Sequence, residues 1–204
     1  MNLSEENYWT QRYEEARTGW DVGSATPPIT SYLNQLIDKN IHILIPGAGN
    51  AYEAAYAWKN GFKNVTVLDI SSIPLQQFAE KYPDFPKEQL VQEDFFAHQG
   101  TYDLILEQTF FCSFPPTKAN RTKYATKIHE LLCPKGTLAG VWFDFPLLEG
   151  NMDKRPFGGT KEEYLSYLSP LLFCKVFERC TNSIPPRQGN ELFGIFKKDK
   201  KLKI

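Results

Sequence analysis

The chain has few cysteines, and none of them is placed for a metal site or a disulfide framework. Four cysteines are spread over 204 residues, with no C-x-x-C pair and no histidine cluster nearby. Zinc sites and disulfide-stapled folds usually show cysteines paired at short spacings. The sequence therefore predicts no metal site and indicates a reduced compartment. The four residues are Cys112, Cys133, Cys174 and Cys180.

An excess of charge and long apolar runs are also absent. The formal net charge is -1, so the overall charge attracts neither a phosphate backbone nor an anionic lipid. No segment approaches the ~18 apolar residues of a membrane helix, and residues 1–15 lack the apolar core of a signal peptide. We expect a soluble, cytoplasmic protein, a monomer or weak homo-oligomer, with no nucleic-acid or membrane partner. Residues 198–204 form a basic tail to which we assign no function.

Short apolar runs alternate with longer amphipathic stretches, which is typical of strands joined by crossover helices. The predicted strands are 41–45, 64–68, 89–92, 102–106, 137–143, 174–179 and 192–197. The predicted helices are 50–60, 71–81, 118–132 and about 160–168, with a Gly- and Pro-rich loop at 146–159. The last two strands are too close in sequence for a parallel crossover, so they form an antiparallel hairpin. We predict one three-layer α/β domain over residues 1–204, with five parallel strands and this hairpin in a seven-stranded mixed sheet.

A glycine turn follows the first predicted strand. Gly47 and Gly49 leave room for a ligand to approach the backbone, and Asp69 ends the next strand, where a carboxylate can accept from ribose hydroxyls. Tyr52 replaces the third glycine of the dinucleotide fingerprint, and Glu53 would repel a pyrophosphate but tolerate a sulfonium. The pattern favours S-adenosylmethionine over NAD as cofactor. A tight strand-to-helix turn with a capping aspartate, without a ligand, is the alternative.

Two further segments end in polar groups at the same expected sheet edge. Asp94 and Phe95 follow the third strand, where a carboxylate and an aromatic ring could hold an adenine. Glu107 and Gln108 end the fourth strand, where they could hold the amino-acid end of the cofactor. Together with the glycine turn, these strand ends predict one ligand-shaped gap.

The residues resemble the thiopurine S-methyltransferase-like family, and within it the thiocyanate, halide and thiol methyltransferases. The resemblance runs from Tyr8 to Lys197 and implies a Rossmann-like class I methyltransferase fold. The matching segments are Tyr8-Trp9, 19–23, Pro27-Pro28, Pro46-Gly47, 68–71, 93–96, 102–105, 110–112 and 184–187. Departures are Ala48 where relatives commonly have cysteine, Asn50 near a usual small residue, and Glu107-Gln108 in place of an Asp-Tyr pair. These departures bear on the acceptor rather than on the fold.

The resemblance also implies roles for particular residues. Residues 1–28 would form a flap over the cofactor, carrying Trp9, Tyr13 and Trp20. The aromatic rings of such a flap can also favour a sulfonium through cation–π attraction. The predicted cofactor-binding residues are Trp9, Tyr13, Trp20, Gly47, Gly49, Asp69, Ile70, Asp94, Phe95, Glu107 and Gln108.

The expected partner is a small-molecule methyl acceptor. A soft nucleophile such as a thiol, hydrosulfide, thiocyanate or halide needs little proton removal, and none of His42, His98 and His129 has a convincing site context. We assign no catalytic residue. The predicted acceptor pocket comprises Phe110, Phe111, Trp142, Phe145, Arg155, Phe157 and Arg187, with the arginines able to attract an anion. An N- or O-methyltransferase, a non-catalytic cofactor-binding module and an NAD-dependent oxidoreductase are the alternatives.

Overall fold

The fold is known from a computed structural model that describes residues 3–146 and 155–199. Part of the loop predicted at 146–159 and most of the basic tail predicted at 198–204 lie outside the described residues. Lys198, the first residue of that tail, packs on the sheet, because its ammonium donates to the carbonyls of His129 and Leu132 at 2.6 and 2.7 Å. It therefore caps a helix end rather than extending into solvent.

A seven-stranded mixed sheet forms the centre of the domain, as the sequence predicted. In space the strand order is β3-β2-β1-β4-β5-β7-β6, and β1 to β5 are parallel. Strand β7 pairs antiparallel with both β5 and β6, so the closing hairpin inserts its second strand next to β5. The strands are β1 (Ile43–Pro46), β2 (Val65–Asp69), β3 (Leu90–Gln92), β4 (Tyr102–Gln108), β5 (Leu132–Phe143), β6 (Phe173–Arg179) and β7 (Glu191–Lys197).

Six helices surround the sheet within the described residues. They are α1 (Leu3–Glu14), α2 (Pro27–Asn34), α3 (Tyr52–Lys59), α4 (Ser72–Lys81), α5 (Lys118–Leu131) and α6 (Lys161–Leu168). Helices α4, α5 and α6 start at Ser71, Thr117 and Thr160, whose side chains accept from backbone amides of the first turn. Such caps satisfy amides that have no partner within the helix.

Helices α1 and α2 were not predicted from the sequence, and strand β5 is longer than predicted. Helix α1 has a weak apolar face, and α2 opens with Pro27 and Pro28, whose fixed φ suits a first helical turn. Strand β5 begins at Leu132 and passes through Pro134, with an irregular register opposite β4 that accommodates the proline. Strand β1 starts at Ile43, two residues later than predicted.

The sheet separates two hydrophobic cores, which makes the domain a three-layer sandwich. One core contains α2, α3 and α4 and includes Ile29 and Phe78, while the other contains α5 and α6. Trp142 belongs to the second core, where its ring meets Phe177 and Phe196 edge-on at 5.6 and 5.8 Å. None of the described helices is long and apolar enough to cross a bilayer.

Gly140 lies at the centre of the sheet, between Glu107 on β4 and Gly194 on β7. A Cβ added there would come within 2.1 Å of the Glu107 carbonyl oxygen and 2.4 Å of its Cβ. Because backbone must move to accommodate it, we expect Gly140→Ala to lower the free energy of unfolding by about 1–3 kcal/mol. Urea unfolding measures this loss.

Gly19→Ala is the matched control. No atom lies within 4 Å of the Cβ that it would add, so its unfolding free energy should stay within about 0.5 kcal/mol of wild type. Equal stability of the two variants would contradict the close approach of β4 and β5.

Candidate functional site

The glycine turn lies at the carboxyl edge of the sheet, between β1 and α3. Gly47 and Gly49 have φ of 57° and 54°, and Ala51 before α3 has φ of 53°. This left-handed conformation favours glycine, and it lets the turn double back tightly over the strand end. The turn is tied to β2 because the Ala48 amide donates to the Leu68 carbonyl at 3.1 Å. The turn therefore lies at the edge of the sheet, and Gly47 and Gly49 add no side chain of their own to it.

Asp69, the last residue of β2, fixes this turn. Its carboxylate accepts from the Gly49 amide and from the Ser71 amide, each at 2.9 Å. Burial raises the pKa of Asp69 to about 6, although these hydrogen bonds favour the ionised form. Each carboxylate oxygen keeps acceptor capacity beyond its one amide, so the group can also receive hydroxyl donors.

Aromatic residues of the amino-terminal segment lie over Gly49. The Tyr13 hydroxyl and the Trp20 indole nitrogen would be 3.3 and 3.8 Å from a Cβ at Gly49. The ring of Trp20 packs edge-on against those of Tyr13 and Trp9, with centroids 5.6 and 5.3 Å apart. Burial and the nearby Asp69 carboxylate raise the pKa of Tyr13, so its hydroxyl stays protonated. The structure thus brings together Trp9, Tyr13, Trp20, Gly49 and Asp69 from the predicted cofactor set.

Two arginines hold this segment in place. The Arg155 guanidinium pairs with both carboxylate oxygens of Glu5, at 3.0 and 2.9 Å, and donates to the Ser113 carbonyl at 2.6 Å. Arg187 donates to the Trp20 carbonyl at 2.8 Å. The contacts with Glu5 neutralise the charge of Arg155 within the chain. Arg155 therefore anchors α1, where the sequence analysis placed it in the acceptor pocket.

Tyr52, which stands where a dinucleotide fingerprint has its third glycine, anchors the same segment. Its hydroxyl donates to Asp21 at 3.3 Å, and the Asn50 side-chain amide donates to the same oxygen at 2.6 Å. The start of α3 is therefore covered by the chain around Asp21, where a diphosphate would otherwise sit.

A cleft opens beside the glycine turn, between α3, the end of β4 and Arg187. Thr26 connects its walls. Its amide donates to Glu53 at 3.0 Å, and its hydroxyl oxygen lies 2.8 Å from the Gln108 side-chain oxygen and 3.2 Å from Glu53, so its single proton serves these two acceptors. Burial raises the pKa of Glu53, while its bonds to Thr26 and the charge of Arg187 favour ionisation. The lining consists of Trp20, Asp21, Val22, Ser24, Thr26, residues 45–50, Tyr52, Glu53, Gln108, Thr109 and Arg187.

Glu107 lies next to this cleft but is wholly enclosed. Its carboxylate accepts from the amides of Phe110 and Phe111 and from the hydroxyl of Tyr124. Burial raises the pKa of Glu107 to about 7, whereas these three donors favour the carboxylate. Gln108, the other residue predicted at this strand end, borders the cleft.

The five predicted acceptor-pocket aromatics do not line the cleft. The prediction that Trp142 lines the acceptor pocket was wrong. The residue lies in the core because its side chain points to the α5 and α6 face of β5. Phe111 and Phe157 are buried. Phe145 packs against Phe143, and Phe110 packs on the glycine turn, so that a Cβ at Gly47 would lie 2.0 Å from its ring.

The remaining predicted residues lie along the β2 and β3 ends. Asp94 accepts from the Phe96 amide at 2.9 Å, and Ile70 is half-buried beside Asp69. Phe95 is buried and meets Phe110 edge-on at 5.2 Å. These placements keep the segment after β3 adjacent to the glycine turn.

Sequence reasoning missed Thr26, and it used Glu53 only to discriminate between cofactors. The signal for Thr26 was its position before Pro27-Pro28, since threonine followed by proline is typical of a helix start. Nothing local indicated that its hydroxyl would bridge α3 and β4, because those partners are 27 and 82 residues away.

The site fits an adenosine-containing methyl donor. Gly47 and Gly49 present backbone without a side chain, Asp69 offers acceptors for hydroxyl groups, and the acidic Glu53 borders the cleft where a cationic group would be favoured. Among the described residues, no group of three or more His, Cys, Asp or Glu side chains could hold a metal ion.

Comparisons with known proteins agree with this geometry. The family model "Thiopurine S-methyltransferase (TPMT)" matches residues 4–203. A probable thiol methyltransferase 2 of Arabidopsis thaliana is 30% identical, covering 97% of this chain and 88% of the relative. Thiocyanate methyltransferase 1 of the same plant is 32% identical, covering 95% and 86%.

A solved structure shares the fold. It is the 1,6-didemethyltoxoflavin-N1-methyltransferase of Burkholderia thailandensis, solved with bound S-adenosylhomocysteine, with a TM-score of 0.78 and 19% identity over 95% of this chain and 87% of that one. The match of the family model over nearly the whole chain confirms the resemblance seen in the sequence. The chain belongs to the thiopurine S-methyltransferase family, and it is an S-adenosylmethionine-dependent methyltransferase.

Proposed function

We propose that this enzyme methylates a small soft nucleophile, such as a thiol, hydrosulfide, thiocyanate or halide, in the cleft beside the glycine turn. The observation that carries the proposal is the lack of a histidine in the described cleft lining, whose two carboxylates already hold parts of the chain. Both carboxylates of the lining, Asp21 and Glu53, accept hydrogen bonds from the chain, and no histidine borders the cleft. An acceptor that enters here brings its own unprotonated electron pair.

His98 and His42 have other surroundings. His98 is held by Glu93 and by Tyr102, each at 2.8 Å, in a buried arrangement that leaves neither ring nitrogen for chemistry. His42 is exposed beside Asp103, at the opposite edge of the sheet. Nitrogen and oxygen acceptors, which usually must lose a proton, are therefore less suited to this cleft.

The donor supplies a methyl group on a positively charged sulfur. Gly47, Gly49 and Asp69 would hold its nucleoside, and Gln108 and Glu53 would face its amino-acid end. We propose that the flap predicted at residues 1–28 covers it, with Trp9, Tyr13 and Trp20 excluding water. Positioning and desolvation then supply most of the rate, since displacement at a methyl group requires the acceptor in line with the leaving sulfur.

The relatives support the acceptor class. The two plant proteins named above are called a thiol and a thiocyanate methyltransferase, and both of those acceptors are soft sulfur nucleophiles. Arg187 gives the cleft a cation suited to an anion, and its partner Glu191 is 3.4 Å away. The alternative of N- or O-methylation would be favoured if Glu107 faced the acceptor, and the enclosure of Glu107 removes that support.

Asp69→Asn tests the donor site. The amide keeps the size of the side chain but removes the charge that receives hydroxyl donors, so we expect about 10-fold or weaker binding of S-adenosylhomocysteine. Isothermal calorimetry measures the change. Asp103→Asn is the matched control, because Asp103 also accepts from a backbone amide, that of His42 at 2.9 Å, but lies at the opposite edge. Equal affinity of the two variants would argue against a donor site at Asp69.

An acceptor panel tests the chemistry. With labelled S-adenosylmethionine, we expect turnover of at least one of a small thiol, hydrosulfide, thiocyanate and iodide, and little with a catechol or an amine. For a thiol, the rate should rise with pH in proportion to the fraction of the acceptor that is ionised to the thiolate. For thiocyanate or iodide, the rate at saturating methyl donor should lack this rise. Turnover confined to the catechol or the amine would refute the proposal.

Arg187→Gln tests the attraction of anions. We expect KM for an anionic acceptor to rise about 10-fold or more through loss of a charge-assisted contact, with a smaller effect on a neutral thiol. Arg179→Gln is the control, because Arg179 belongs to the same hairpin but pairs with Asp144 at the surface. Affinity for S-adenosylhomocysteine, measured in parallel, separates this effect from loosening of Trp20. Equal KM changes for both classes of acceptor would refute the role.

A further inference from the structure

The turn after β4 adopts a backbone conformation that its sequence does not favour. Thr109 has φ of 53°, in the left-handed region that β-branched residues rarely occupy. Such strain persists only where the surroundings impose it, and it concentrates near functional sites. Thr109 also lines the cleft. The groups that fix the conformation of this turn therefore also fix the position of a residue that lines the cleft.

Glu107 is the group that holds it. One carboxylate oxygen accepts from the Phe110 and Phe111 amides, the two that follow Thr109, and the other accepts from the Tyr124 hydroxyl of α5. The residue is fully buried. The Cys112 thiol adds a hydrogen bond to the Thr109 carbonyl at 2.7 Å. The turn is thus fixed from inside the protein, because the Glu107 carboxylate binds two of its amides and is itself held by the Tyr124 hydroxyl.

The position of the Phe110 ring follows from this turn. The ring packs on Gly47 so closely that a Cβ there would lie 2.0 Å from it. On its other sides it meets Phe95 and Phe114 edge-on, at 5.2 and 4.8 Å. The Phe110 amide and ring therefore link Glu107 to the glycine turn, although Glu107 does not touch that turn itself.

We propose that Glu107 is a positioning residue for methyl transfer: through the Phe110 amide it sets the aromatic wall against which the donor packs at Gly47. Glu107 contacts neither the methyl donor nor the methyl acceptor. This role rests on the proposed donor site, and it differs from the cofactor contact that the sequence suggested for Glu107.

The charge state of Glu107 makes the role measurable. A carboxylate accepts from all three groups, and its charge strengthens the two amide bonds that hold the turn. A protonated carboxyl instead donates to the Tyr124 hydroxyl, and its neutral carbonyl oxygen accepts more weakly from the amides. The titratable groups that face it are Tyr124 on α5, Cys112 after β4 and Tyr164 on α6, and burial raises the pKa of each. These groups stay neutral through neutral pH. Because the pKa of Glu107 itself is about 7, acidification through that value should loosen the turn.

The test compares wild type, Glu107→Gln, Tyr124→Phe and Tyr164→Phe. Tyr164 is the matched control, because it is equally buried and its hydroxyl donates to the Phe143 carbonyl rather than to Glu107. Calorimetry gives the affinity for S-adenosylhomocysteine between about pH 6.5 and about 8.5, and the Glu107→Gln profile shows what Asp69, whose pKa is about 6, contributes at the acidic end. Hydrogen exchange of the Phe110 and Phe111 amides, without ligand, reports the turn directly.

Wild type should bind more weakly as pH falls through about 7, with faster exchange at both amides once corrected for the intrinsic rate. Glu107→Gln should bind about 10-fold more weakly at high pH and lose this pH dependence. Tyr124→Phe should move the midpoint to higher pH, because it removes a donor that favours the carboxylate. Tyr164→Phe should leave the midpoint unchanged, whatever it does to the melting temperature.

A common midpoint for the two tyrosine variants, or a wild-type profile in Glu107→Gln, would overturn the positioning role. So would unchanged exchange at Phe110 and Phe111 across the pH range. In a further outcome, wild type binds no S-adenosylhomocysteine while exchange of the two amides still depends on the charge state of Glu107. That result would refute the proposed donor site and limit the role of Glu107 to stabilising the turn after β4.

Discussion

The two hydrogen bonds from backbone amides to Asp69 are the contacts on which the rest of the site depends. They join the turn after β1 to the end of β2 and hold Gly49 where Tyr13 and Trp20 can lie over it. An apolar residue here would leave two amides near the sheet edge without an acceptor, which is costly in a buried place. The raised pKa of Asp69 shows the opposing cost, that of burying a charge. The protein accepts this cost at the edge where a ligand with hydroxyl groups would gain from it.

The amino-terminal segment is bound to the site mainly by polar contacts over long sequence distances. Arg155 reaches Glu5 across 150 residues, and Arg187 reaches Trp20 across 167. Thr10 adds a contact to Ser71, with 3.0 Å between their hydroxyl oxygens. Polar contacts of this kind can form and break at lower cost than a packed apolar core, because water can replace each partner. Such an attachment would suit the proposed flap, which would cover a ligand and also release it.

Much of the fold was predictable because strand, turn and helix signals are local. The glycine turn, Asp69 and the closing hairpin follow from residues within a few positions of one another. The face to which a side chain points is a different matter. Trp142 and Phe110 are both aromatic and near a strand end, yet one lies in the core and the other on Gly47. Strand alternation gives only two faces, and both are covered by helices here, so aromatic character could not distinguish them.

The roles of charged residues were also hard to predict from the sequence, for a related reason. An arginine in a loop can bind a ligand or a distant carboxylate, and only the folded chain decides which, as Arg155 and Arg187 illustrate. In the cleft the charges are balanced locally: Arg187 faces Glu191 and lies within electrostatic reach of Glu53. A cationic donor entering beside Glu53 would favour the ionised form of that carboxyl. Because Arg187 already pairs with Glu191, a soft anion in the cleft would share the guanidinium with that carboxylate, and its binding would require no proton to be moved.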